Sequence, residues 1–227
     1  MDKLQKIAFP IIVALVLTGL GWFLFKSINK PLPGEAVTLL SRDHVTDISN
    51  VQYSSSPPTS GPHFSAWAKA GAYDEILSDG YLLHSLEHGY VVVSYDCTKP
   101  FSISHFPFSI VAYAHEGEEP AATLSATEAA QPLAVAGESE PFTPENAPKV
   151  VALPEAFKTD SCKVLAGQLA RYLKVAKRVI VVPRLGMDTP IALTAWGRIE
   201  KLGNVDDGKI KEFVKAFENR GPEQTDE

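Results

Sequence analysis

The stretch LLHSLEHGYVVV, residues 82 to 93, sets His84 and His88 four positions apart with Glu87 just before the second. On a helix, residues i and i+4 share a face, so both imidazoles can reach one metal ion. The letters H-x-x-E-H also match the inverted zinc peptidases, in which the glutamate works as general base on a metal-bound water. That chemistry needs a third ligand and a helix long enough to hold the geometry. Here Gly80 and Gly89 leave about two turns before a strand begins at Tyr90. A metal-dependent hydrolase is therefore a secondary reading.

A wider constellation carries more. His63 ends the proline loop SSSPPTSGPH, residues 54 to 63, and Met187 lies in the tight PRLGMDTP loop. Three imidazoles with a thioether suit copper, and three imidazoles with an open position suit zinc or another divalent ion. Glu87 then ligates as well, or orients an imidazole through its second N–H. The opposing reading makes His84 and His88 a hydrogen-bonded helix end, His63 a turn residue and Met187 a core filler. His44, His105 and His115 have uninformative neighbours and read as surface or loop residues. No G-x-S-x-G, P-loop or G-x-G-x-x-G occurs, so serine-hydrolase, nucleotide and dinucleotide chemistry lack their usual footing.

These residues must be held by elements the sequence outlines. Two prolines followed by Ser60-Gly61-Pro62 force an extended or turning backbone and fix the place of His63. FSAWAKAGAY, residues 64 to 73, reads as a short helix or turn, and DEIL as another helical turn. YLLHSLEH is bracketed by glycines, and YVVVSYD, residues 90 to 96, is a β-branched, buried strand. FSISHFPFSIVAYAH suggests one or two edge strands. From 116 to 149 the composition turns to Ala, Glu, Pro, Thr and Ser, an insertion too poor in large apolar residues for a core of its own. SCKVLAGQLARYLKVAK, residues 161 to 177, has apolar residues at helical spacing. RVIVVP is a strand, IALTAWGRIE (191 to 200) a second strand, and DDGKIKEFVKAFENRGPE a closing helix stopped by Gly221-Pro222.

The N-terminus addresses compartment. IAFPIIVALVLTGLGWFLF, residues 7 to 25, carries no charge and is flanked by Lys6 and Lys26. Nineteen helical residues reach about 28 Å, close to the hydrocarbon thickness of a bilayer. No A-x-A-like cleavage site follows, so a retained anchor is expected rather than a removed signal peptide. The flanking lysines nearly balance. The very short leading tail argues for tail inside and bulk of the chain outside the cytoplasm. Cys97 and Cys162 are the only cysteines and, in that compartment, are expected as a disulfide. The formal net charge of −6 argues against the basic surface that nucleic acid requires.

YSSSPPTSGPHF, LLHSLEHGYVVVSYD, VIVVPRLGMDTPIALTAWGRI and FENRGPE, in that order, resemble the family of bacterial and archaeal proteins called domain of unknown function 3105. The resemblance covers roughly residues 43 to 223 around a longer central segment. It implies a single N-terminal anchor followed by one extracytoplasmic domain. It also singles out His63, His84, Glu87, His88, Gly89, Pro183, Met187 and Trp196, which strengthens the case for a shared metal site without naming the metal.

The expectation is thus an α+β protein: a transmembrane helix followed by one small-sheet α+β sandwich. Residues 1–6 form a short cytoplasmic tail, 7–25 the anchor, 26–42 a linker, and 43–224 the extracytoplasmic domain with its insertion at about 116–149. His63, His84, His88 and Met187 bind copper, slightly ahead of zinc, with Glu87 beside them. The expected partners are the lipid bilayer and a protein of a membrane complex. The alternative function is an assembly module without catalysis.

Overall fold

The computed structural model describes residues 3–28, 31–102, 111–112, 141–148, 152–223 and 225. The chain divides into two compact units, Met1–Leu32 and Pro33–Glu227. The first is a helix, α1 (Lys3–Ile28). Side chains of α1 are described at 11–23, 25 and 26, and all of these are exposed. Among the described residues no helix is long and apolar enough to cross a membrane.

The second unit is a mixed α+β domain, in chain order β1 (Glu35–Ala36), β2 (Gly71–Ala72), α2 (Asp79–Glu87), β3 (Val91–Tyr95), β4 (Phe101–Ser102), β5 (Val111–Ala112), α3 (Asp160–Ala170), β6 (Val179–Pro183), β7 (Ile191–Ala195), β8 (Arg198–Leu202) and α4 (Asp207–Phe217). Six strands form one sheet in the order β1-β8-β7-β3-β6-β2, with β4 and β5 paired separately. β3 and β6 run parallel, as do β6 and β2, while β7 lies antiparallel to β3. Every residue of β3, β6 and β7 is buried. Continuous apolar runs are what a sheet covered on both faces requires.

Strand alternation divides the core in two. Val91, Val93 and Tyr95 face one cluster with Leu165, Leu169, Ile210 and Phe213 of α3 and α4. Val92, Ile180 and Val182 face another with Phe64, Leu83, Leu86 and Tyr90. α3 and α4 therefore cover one face, and α2 with the irregular chain before it covers the other. The Thr159 hydroxyl caps α3 by accepting from the Cys162 N–H. The Cys97–Cys162 disulfide joins this helix start to the end of β3 with Cα atoms 5.8 Å apart. Closing 65 residues of chain, it stabilises the fold by about 4 kcal/mol on chain-entropy grounds.

Three expectations change. IALTAWGRIE is a hairpin, because Trp196-Gly197 turns the chain so that Ala195 pairs with Arg198. Gly197 takes φ +68°, the left-handed region that favours glycine, and a Cβ there would lie 2.5 Å from a Leu39 methyl. Residues 64 to 78 form no helix. The Ser85 hydroxyl donates to Ala68 O and accepts from Ala68 N, and Lys69 N–H donates to Phe142 O, so tertiary partners take the groups a helix would use. Phe142, at the end of the presumed coreless insertion, is buried against Tyr73 and Tyr81. Most of that insertion and of FSISHFPFSIVAYAH lies outside the described residues.

Candidate metal centre

α2 begins where the Ser78 hydroxyl accepts the Gly80 N–H. It packs so closely on Phe64 that a Cβ at Gly80 would lie 2.5 Å from that ring. All of Gly80 to Glu87 is buried. His84 and Glu87 are three residues apart and His88 follows as the C-cap, so all three side chains leave the last turn together. Gly89 then turns the chain at φ +82° into β3.

The proline loop brings His63 to them. Thr59 O accepts from Gly197 N, Ser60 Oγ from Leu40 N, and Pro62 O from the Tyr53 hydroxyl. A second segment arrives alongside: His63 N–H donates to Asp43 O and Val45 N–H to His63 O, a short parallel bridge that sets His44 against His63. The His44 ring centroid lies 5.0 Å from that of His63 and 4.8 Å from that of His84. Trp196 closes the back, 6.1 Å from His63.

One ligand atom from each of His44, His63, His84 and Glu87 lies within 4.8 Å of the others. The hydrogen bonds aim these atoms. His84 Nδ1 lies 2.7 Å from Phe64 O, and His63 Nδ1 2.8 Å from Gly61 O. A carbonyl only accepts, so both Nδ1 atoms carry protons and both Nε2 atoms face inward. His63 Nε2 stands 2.8 Å from Glu87 Oε2, and His84 Nε2 stands 3.1 Å from His88 Nε2. Donors around one tetrahedral ion at about 2.0–2.1 Å would be separated by about 3.3 Å, near these spacings.

Electrostatics favour a cation. Burial holds the His84 pKa down at about 3, and the neighbouring imidazoles lower it further, against the Phe64 carbonyl, which raises it. Its Nε2 is therefore unprotonated at neutral pH and faces His88 Nε2 as an acceptor. Burial pushes Glu87 up, but the His63 side chain and the electrostatic pull of His63, His84 and Arg42 outweigh it and leave the carboxyl below its ordinary value. Arg42 reaches Glu87 Oε1 at 3.3 Å from a half-exposed position, whereas Glu87 is 2% exposed. A carboxylate so deeply buried needs compensating charge.

A pH dependence follows. Below about pH 6.5 the unfolded chain protonates residue 84 while the native metal-free protein does not, so stability falls with pH toward the native value. Metal-free protein should lose about 2 kcal/mol between pH 7 and 5, measured by urea unfolding, with a shallower loss in His84→Gln. At lower pH still, the Glu87 contribution goes as its carboxylate takes up a proton.

The structure thus brings together His63, His84 and Glu87. Glu87 offers a carboxylate oxygen to the set, in keeping with the ligating one of the two roles its position allows. His88 joins through His84 and stands outside the group that shares the 4.8 Å limit. Met187 is not brought to the imidazoles. Its N–H donates to Asp96 Oδ2 at the far end of β3 from Trp196, about 15 Å along the strand. The member read as a surface residue is His44, exposed yet in contact with both inner rings. Its only sequence signal was an unexplained histidine near the start of the domain. His105 and His115 lie outside the described residues.

Fold and site define a mixed α+β domain with a buried histidine–glutamate cluster of metal-ligating character. The model of the family described as "Protein of unknown function (DUF3105)" matches residues 44–105 and 154–227, more than half of the chain, and the chain belongs to that family. Neither the curated proteins nor the solved structures contain a match.

Proposed function

We propose that this is a membrane-anchored extracytoplasmic domain that binds one divalent transition-metal ion through His44, His63, His84 and Glu87. The observation that carries the reading is the paired orientation of His63 and His84. Each commits Nδ1–H to a backbone carbonyl and presents Nε2 to the same small volume as a buried carboxylate. Metal-ligating histidines almost always spend their second N–H in this way. Three imidazoles and one carboxylate suit zinc, with copper(II) next. The soft thioether that would favour copper(I) is at the other end of β3. The charge-free run 7–25 and the disulfide support the anchor and the extracytoplasmic side.

A second reading, in which the cluster is a structural polar network, draws on the 2.8 Å approach of His63 Nε2 to Glu87 Oε2, an ion pair when the imidazole is protonated. Competition against a chromophoric chelator separates the two. Full-length chain in detergent should take up one equivalent of zinc with sub-micromolar affinity. No uptake by folded protein leaves the network reading standing.

A further inference from the structure

His63, His84 and Glu87 are each 3% exposed or less, so any ligand from solution reaches the metal past the remaining wall. Part of that wall is the extended segment around 41 to 45. Alternation along it puts residues 42 and 44 on one side and 43 on the other. Arg42 and His44 do turn inward together, onto Glu87 and onto His63 and His84. Both are exposed at the mouth, with the Arg42 side chain 52% accessible.

The charges at this mouth do not balance once a cation is bound. A divalent ion, one carboxylate, three neutral imidazoles and one guanidinium sum to +2. Among the described residues Arg42 engages Glu87 Oε1 through Nη1. The fork carries five N–H donors in all and suits planar or tetrahedral oxyanions.

We propose that the metal-loaded site binds a small oxyanion, a carboxylate or a phosphate, held by Arg42 and entering as a fifth ligand of the ion beside the four protein donors. This rests on the metal-binding reading. Arg42 is a ligand-binding residue at the mouth, and the Glu87 contact keeps its guanidinium aimed at the ion. The class of molecule the site handles is accordingly a metabolite, lipid headgroup or peptide end that presents such a group.

The test uses full-length chain in detergent loaded with cobalt(II), whose visible d–d bands report a change in its ligands. Inorganic phosphate and acetate are titrated separately, at cobalt concentrations that saturate each protein. Wild type should show a saturable band shift with at least one of the two, and the one acting at lower concentration names the headgroup. Arg42→Gln should weaken that anion at least tenfold, and Arg42→Lys by less. Cobalt uptake with no response to either anion, or equal anion affinity in Arg42→Gln, overturns the proposal alone. A folded chain that takes up no cobalt overturns the metal reading with it.

Discussion

His84→Ala lowers zinc affinity about a hundredfold or more, and His88→Ala lowers it about tenfold. The difference follows from position. His84 supplies an inward Nε2 that burial keeps unprotonated, so it meets a metal without first losing a proton. Its ring is locked by the 2.7 Å hydrogen bond to Phe64 O, so no alternative rotamer replaces it. Structural zinc sites bind with roughly 10–16 kcal/mol, so one of four ligands accounts for about 3 kcal/mol, or a factor of about a hundred. His88 touches the set through one 3.1 Å contact with His84 Nε2, and its loss is that of a neighbour supporting a ligand, typically ten- to a hundredfold. Chelator competition on the two variants gives the comparison. Equal losses would make His88 a full ligand and move the ion toward the end of α2.

Gly221→Ala has the second large effect, far from any metal donor in sequence. The chain after α4 crosses the junction of α2 and β3, where Asn219 N–H donates to Gly89 O and Glu223 N–H to Glu87 O. A Cβ at 221 would stand 2.0 Å from Glu87 O and 2.3 Å from Gly89 N, both rigid backbone atoms. Either the terminal segment or the Glu87–Gly89 backbone must move, and Glu87 belongs to the cluster. The substitution should cost about 3 kcal/mol in urea unfolding, at the upper end for an overpacked site. It should also weaken zinc about tenfold in whatever fraction folds. Gly167→Ala is the control: nothing lies within 4 Å of its would-be Cβ in α3, so helix propensity should make it neutral or stabilising by up to about 1 kcal/mol.

How far the sequence reveals this arrangement depends on the range of the interaction involved. β3, β6, α3 and α4 are legible because hydrophobic period and terminal signals are local. α2 is legible from its glycines, and the turn it shares with His84, Glu87 and His88 follows from helical spacing. The proline loop is legible as rigid, and its last residue does enter the site. What is hidden is non-local. His44 reaches the cluster only because a parallel bridge pairs it with His63, nineteen residues away, a pairing that no pattern around His44 announces. Met187 fails in the opposite sense, since proximity to a strand in sequence does not say which end of a neighbouring strand it meets. The 64–78 segment has the small residues of a helix, but Ser85 and Phe142 claim its backbone. The hairpin at Trp196-Gly197 is masked by a tryptophan that reads as strand and serves as one wall of the site. Glu87 reads from the sequence as either a ligand or an orienting neighbour, and its carboxylate lies among the atoms that could hold an ion. The i,i+3 relation to His84 already allowed that.

We predict that His44, His63, His84 and Glu87 together hold one metal ion. Elemental analysis of the full-length chain, purified in detergent after export and identical exposure to zinc and copper, addresses it directly. Wild type should carry one equivalent, with zinc ahead of copper. A His44/His63/His84 triple alanine variant that still folds should carry less than about a tenth of that, in line with losses of about a hundredfold per ligand. Equal metal in both proteins, or none in well-folded wild type, would contradict the account.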